Sequence, residues 1–126
     1  MKHKFSGGMT IVCIVCLMIL LVNCGKSQVS VKFINHSEQT ITDIRISSGN
    51  SYDQGPNRLH EPLLDGEEIV FDLGKYTSDE VSYGFFVQIY NEESERLDLN
   101  DAPELLVDGA VYEVLPEYEY VISLPQ

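Results

Sequence analysis

Cysteine is missing from everything after residue 24. All three cysteines of the 126-residue chain, Cys13, Cys16 and Cys24, fall in its first 24 positions, so the remainder has no disulfide framework to staple it. Cys13 and Cys16 have the spacing of a zinc or redox half-site, but they stand among Ile, Val, Leu and Met without a second pair or a neighbouring histidine. They read as apolar filler. Basic residues are also scarce: 8 Lys and Arg face 20 Asp and Glu. Such a surface repels phosphates, which sets nucleic-acid binding aside. No apolar run exceeds 12 residues, at 11–22, whereas a membrane-spanning helix needs about 20.

Catalytic motifs are lacking as well. His60-Glu61-Pro62 begins like the zinc-protease pattern H-E-x-x-H, yet Leu64 stands where the second histidine belongs and Pro62 opposes the required helix. Ser47, His60 and Asp72 can be joined on paper into a triad, but no serine has the G-x-S-x-G elbow that would expose it. These absences predict a non-enzymatic protein with no cofactor and no metal at a catalytic position.

What is present begins with a leader. Lys2, His3 and Lys4 form a basic end, the 12 apolar residues follow, and polarity returns at Asn23, Gly25, Lys26, Ser27 and Gln28; this order is that of a secretory signal. The tetrapeptide Leu21-Val22-Asn23-Cys24 resembles a bacterial lipobox, with Asn23 where Gly, Ala or Ser is usual. The resemblance implies a lipoprotein signal peptide over 1–23, forming an N-terminal signal helix, and a fatty-acyl chain such as palmitate on Cys24. The protein would then be held at the cell membrane or outer membrane, facing the extracytoplasmic side. An ordinary cleaved leader and an uncleaved short anchor are the alternatives.

Residues 24–28 read as a polar tether and 29–126 as one domain. From residue 24 onward six basic side chains meet all 20 carboxylates, a net charge of −14 with His neutral. Period-two alternation predicts strands at 28–35 and 40–47, the second irregular near Thr42 and Asp43, joined as a hairpin through a polar turn. Asn35-His36-Ser37 also fits the N-glycosylation pattern, and the turn reading is preferred. Further strands are predicted at 68–73, at 83–90 as the central strand, around Asp108-Gly109 as a second hairpin, and at 118–124. Thr77-x-x-Glu80 is a capping box for at most one helical turn. The fold class expected is all-β: an antiparallel immunoglobulin-like sandwich of six to eight strands.

The run VKFINHSEQTITDIRISS at 31–48, then Asn57-Arg58-Leu59, Leu64-Asp65-Gly66-Glu67 and a Phe86-Val87-Gln88-Ile89-Tyr90 strand, resembles a group of small exported bacterial domains. The resemblance spans about 31–91, implies a β-sandwich and brings no site with it. The long loop at 47–62, with Tyr52, Arg58 and His60, is the candidate partner-binding segment. Asp98, Asn100 and Asp101, with Glu95, offer carboxylate and amide oxygens to calcium, against the simpler reading of a solvated acidic loop. The expected function is therefore a non-enzymatic, membrane-anchored binding module for a basic protein or a cell-envelope glycan. An acidic inhibitor or immunity-type protein that docks on a cationic enzyme is the alternative.

Overall fold

The computed structural model describes residues 25–49, 55–99 and 101–126. The predicted signal helix 1–23, Cys24, Tyr52 and Asn100 lie outside the described residues. The described chain is mostly β, built from six strands and one short helix in the order β1 (Lys26–Asn35), β2 (Ile41–Ser48), β3 (Glu68–Thr77), α1 (Ser78–Ser82), β4 (Phe85–Asn91), β5 (Ala110–Val114) and β6 (Tyr120–Ser123). They form a four-stranded sheet, β3-β1-β5-β6, and a two-stranded sheet, β2-β4. Lys26, Ser27 and Gln28, expected in a tether, are the first residues of β1, opposite Thr77, Tyr76 and Lys75.

The alternation explains which faces meet. Val29, Val31 and Phe33 of β1 are buried between half-exposed Ser30, Lys32 and Ile34, and Phe85, Val87 and Ile89 of β4 repeat the pattern. With Ile41, Ile44 and Ile46 of β2, Phe71 and Leu73 of β3, and Ala110, Tyr112 and Val114 of β5, these residues make a single core between the sheets. Its aromatic axis lies within the larger sheet. Phe33 stacks on Tyr112 at 4.9 Å and Tyr112 on Tyr120 at 5.1 Å, while Tyr76 meets Phe85 of the smaller sheet edge-on at 5.1 Å.

Pairing departs from expectation in four places. β1 and β2 are consecutive but do not form a hairpin; β1 pairs with β3 and β5, and β2 with β4. Their turn is closed by side-chain hydrogen bonds of Asn35 and Ser37, which turn the chain out of one sheet and into the other. The larger sheet is mixed rather than antiparallel, because β1 runs parallel to β5, with Val31 opposite Ala110. Asp108-Gly109 makes a turn but no hairpin: the Asp108 carboxylate accepts from Ser30 N–H, and Gly109 N–H donates to the Ser30 carbonyl. The interior positions belong to β1 and β5, each flanked on both sides, and not to β4.

Other expectations hold in detail. The register of β2 shifts between Ile41 and Asp43, where the sequence changes parity. The capping box at Thr77 and Glu80 is formed reciprocally and opens a five-residue helix. Glu80, accepting from the Thr77 backbone and side chain, has its carboxyl held below the usual value.

The β5–β6 hairpin carries a local conflict. Glu117 and Tyr118 both have positive φ, 63° and 65°, at the two central positions of a turn closed by Glu119 N–H to the Pro116 carbonyl. Two-residue hairpins of this kind prefer Asn-Gly, which occupies that region at little cost. The double substitution Glu117→Asn, Tyr118→Gly is expected to raise the unfolding free energy by about 1 kcal/mol in urea titration. An unchanged midpoint would show that no strain is held there.

Candidate functional site

The strand directions collect four turns at one pole. β1, β4 and β5 end there, while β2, β3 and β6 begin there, since Ile34 faces Glu68, Asn91 faces Ile41 and Val114 faces Tyr120. The turns contribute Glu38; Asp65 and Glu67; Glu92, Glu93 and Glu95; and Glu117 and Glu119, without a single Lys or Arg. Crowding has a measurable sign: hydrogen bonding to Glu93 and repulsion from its charge raise the Glu95 carboxyl above its usual value.

Asn35 knits this pole together. Its side chain is fully buried, donating through Nδ2 to the carbonyls of Gln39 (2.8 Å) and Leu63 (2.9 Å). Its Oδ1 accepts from Ser37 N–H (3.0 Å) and Ser37 Oγ (2.6 Å). An amide so enclosed has no room for a glycan, so the acceptor pattern at 35–37 is a turn, as preferred. A backbone bond from Gly66 N–H to the Asn35 carbonyl, and a hydrogen bond from Glu38 N–H to the Asp65 carboxylate, tie the second turn to the first. Asn91 Nδ2 reaches Gln39 Oε1 and brings in the third.

Residues 91–104 are read from the sequence as an acidic loop or a weak edge strand; around Arg96 the strand alternative holds, with Arg96 bridged to Tyr90 of β4. Leu97 N–H donates to the Ile89 carbonyl, and Ile89 N–H donates in turn to Asp98 Oδ1 at 2.9 Å, so a carboxylate stands where a neighbouring strand would place a carbonyl. Asp98 is 1 % exposed. Arg96 meets it through Nε at 3.1 Å, reaches Asp101 through Nη1 at 3.4 Å, and lies over the Tyr90 ring at 5.8 Å. Burial lifts the Asp98 carboxyl above its usual value, against the pull of Arg96 and Ile89 N–H. The cation on which Asp98 and Asp101 converge is thus the Arg96 guanidinium. Among the described residues no group of three or more His, Cys, Asp or Glu is arranged to hold a metal ion. Of the paper triad, Ser47 lies on β2 and Asp72 on β3, in different sheets.

Of the candidate loop at 47–62, Asn57 bridges to Arg45 of β2, and Leu63, just after the loop, bridges to Ile41. Asn57 Oδ1 accepts from Ile44 N–H and Leu59 N–H, which fixes the segment locally. Arg58 is half-buried; its Nη2 donates to the Ile46 carbonyl at 3.4 Å, and its Nε is buried with no hydrogen-bond partner among the described residues. His60 is exposed, and its neighbours Leu59 and Glu61, rather than His60 itself, line an open groove of about 390 Å³ that extends to Glu68 and Ile69 of β3. The floor also includes Leu63 and Leu64, the rim Glu67. The sequence signal for this groove is Leu63-Leu64 followed by a turn and paired glutamates, an apolar pair that a lone strand edge does not need.

No family profile matches the chain, and no curated protein matches it. Among solved structures, the NMR structure of a protein from Eubacterium rectale is similar to it, with a TM-score of 0.50 and 14% identity over 81% of this chain and 92% of that one; at this identity the likeness is one of fold.

Proposed function

We propose that the chain is a membrane-anchored lipoprotein whose immunoglobulin-like sandwich is a non-enzymatic, extracytoplasmic module that binds a basic protein. In this reading 1–23 is a cleaved signal peptide and the lipid on Cys24 holds the mature chain on the cell membrane or outer membrane. The observation that carries it is the direction of charge. β1 starts at Lys26, two residues after Cys24, and runs away to the acidic pole at Asn35. Ten strand residues span about 30 Å, several Debye lengths of about 8 Å at physiological ionic strength. A lipid at Cys24 would therefore hold the pole clear of anionic headgroups and turned toward a cationic partner.

An inhibitor or immunity-type protein docking on a cationic enzyme is supported by the same pole and differs in what the partner does. A cell-envelope glycan is a weaker fit, because one face of Tyr90 is taken by Arg96.

Metabolic labelling with a fatty-acid analogue is expected to mark the wild-type chain and to leave Cys24→Ala unlabelled and in the soluble fraction. Labelled Cys24→Ala, or an unlabelled wild type, would sink the anchor. For the partner, the immobilised chain is expected to retain a basic lysozyme-like protein at low salt and release it steeply as salt rises. Retention that ignores salt speaks against recognition by charge.

A further inference from the structure

We propose that the groove between β3 and residues 59–64 takes an extended segment of a basic partner, whose apolar side chains seat on Leu63, Leu64 and Ile69 while its Lys or Arg residues meet Glu61, Glu67 and Glu68. The inference rests on the basic-partner reading and assigns it a place.

Three features select this occupant. The first is charge: the rim has three carboxylates, and the cation nearest on β1, Lys32, meets only Glu68, at 3.5 Å with both side chains substantially exposed. Such a pair exchanges readily for an incoming cation. The second is the floor. Leu64 is 53 % exposed, and Ile69 is half-exposed while packing against the core. A purely polycationic ligand would leave that surface wet, so the ligand must be apolar on alternate positions.

The third is the wall. Among the described residues β3 has β1 as its one strand neighbour, which leaves the edge carrying Glu68 and Ile69 open along the groove. An extended segment can pair with that edge, and alternation then sends one set of side chains to the floor and the other toward the rim. A helix would present its apolar residues every three or four positions and could not use the strand edge.

The test uses the full lipid-anchored chain in neutral phosphatidylcholine nanodiscs, with empty discs as blank, and a fluorescent octapeptide of alternating Lys and Leu read by anisotropy. Wild type is expected to bind it at least tenfold more tightly than octalysine. Leu64→Gln, and Glu61→Gln combined with Glu68→Gln, each change exposed side chains and are expected to weaken binding about tenfold. A probe N-methylated at alternate residues should lose a similar factor, and bound probe should slow amide exchange along β3. Changing Glu92, Glu93 and Glu95 together to Gln should cost less than threefold.

Equal binding of octalysine, or full binding of the N-methylated probe, would overturn the groove. So would loss confined to the variant at 92–95, which would move the partner to the turns and leave the basic-partner reading standing. If wild type binds no cationic probe at all, that broader reading fails with it.

Discussion

Replacing Asp98 by alanine is expected to lower the unfolding free energy by about 3 kcal/mol, the scale for removing one member of a buried charged pair. Two deficits add. Ile89 N–H, a ladder donor inside the core, loses its acceptor, and the half-buried Arg96 guanidinium loses its buried carboxylate, keeping the longer bridge to Asp101, which is at 3.4 Å and 90 % exposed. The loop at 92–104 should loosen first. Faster amide exchange at Ile89 and Leu97 than at Phe33 or Tyr112 is the signature to look for.

Asp98→Asn should be milder, since an amide oxygen can still accept from Ile89. Its pH dependence has a definite sign. The native carboxyl lies above its usual value of 3.8, so the folded state takes up the proton first as pH falls. The group therefore favours the fold most at the acidic end of that window, and its contribution is lost as pH rises through the raised native value. The deficit of Asp98→Asn relative to wild type should accordingly shrink from about pH 4 to pH 7 in urea titrations. A deficit that grows over that range would mean the ion pair with Arg96 outweighs desolvation.

The second large effect is expected at Asn35. Asn35→Asp removes the two Nδ2–H donors, leaving the Leu63 carbonyl with Ile41 N–H and the Gln39 carbonyl with the Ser37 hydroxyl, and places a charge at a fully buried position. We expect a loss of about 3 kcal/mol at pH 7, or roughly 15 °C in melting temperature for a domain of this size. Asn35→Ala should cost a comparable amount, since Ser37 N–H loses its acceptor and the Ser37 hydroxyl keeps the longer bond to the Gln39 carbonyl, at 3.2 Å. A variant within 1 kcal/mol of wild type would show that the turns at 36–40 and 64–67 hold without it. If stability falls while the probe binding at the groove survives, the amide serves the frame and not the ligand.

These two residues also mark where sequence reasoning stops. Alternation placed β1, β2 and β4 to within two residues at each end, because a half-buried strand writes its burial into every second position. Partner choice is not written there. Asp108-Gly109 has a hairpin's composition, yet its bonds go to Ser30, 78 positions earlier, and nothing local distinguishes that use from a hairpin. Asn35 and Asp98 look like surface residues by type, and only the three-dimensional neighbours Leu63 and Ile89 make them interior. Arg96-Leu97-Asp98 does alternate, in keeping with the weak edge strand the sequence offers, yet nothing local says that its carboxylate turns inward to Ile89 N–H. The candidate loop at 47–62 lends Leu59, Glu61 and Pro62 to the groove, but its expected residues Arg58 and His60 flank the lining instead of forming it, and Tyr52 lies outside the described residues.

The parallel alliance of β1 and β5 has a kinetic consequence. Val31, in the first strand to leave a ribosome or a translocation channel, meets Ala110 only 79 positions later, and its other partner, β3, also comes after it. This interior strand must therefore wait for nearly the whole chain. Such high contact order places folding in the millisecond-to-second range, and until β5 arrives β1 is a hydrophobic edge open to the wrong neighbour. An acidic chain gains from this delay: like charge keeps half-made copies apart while the last strand is still to come.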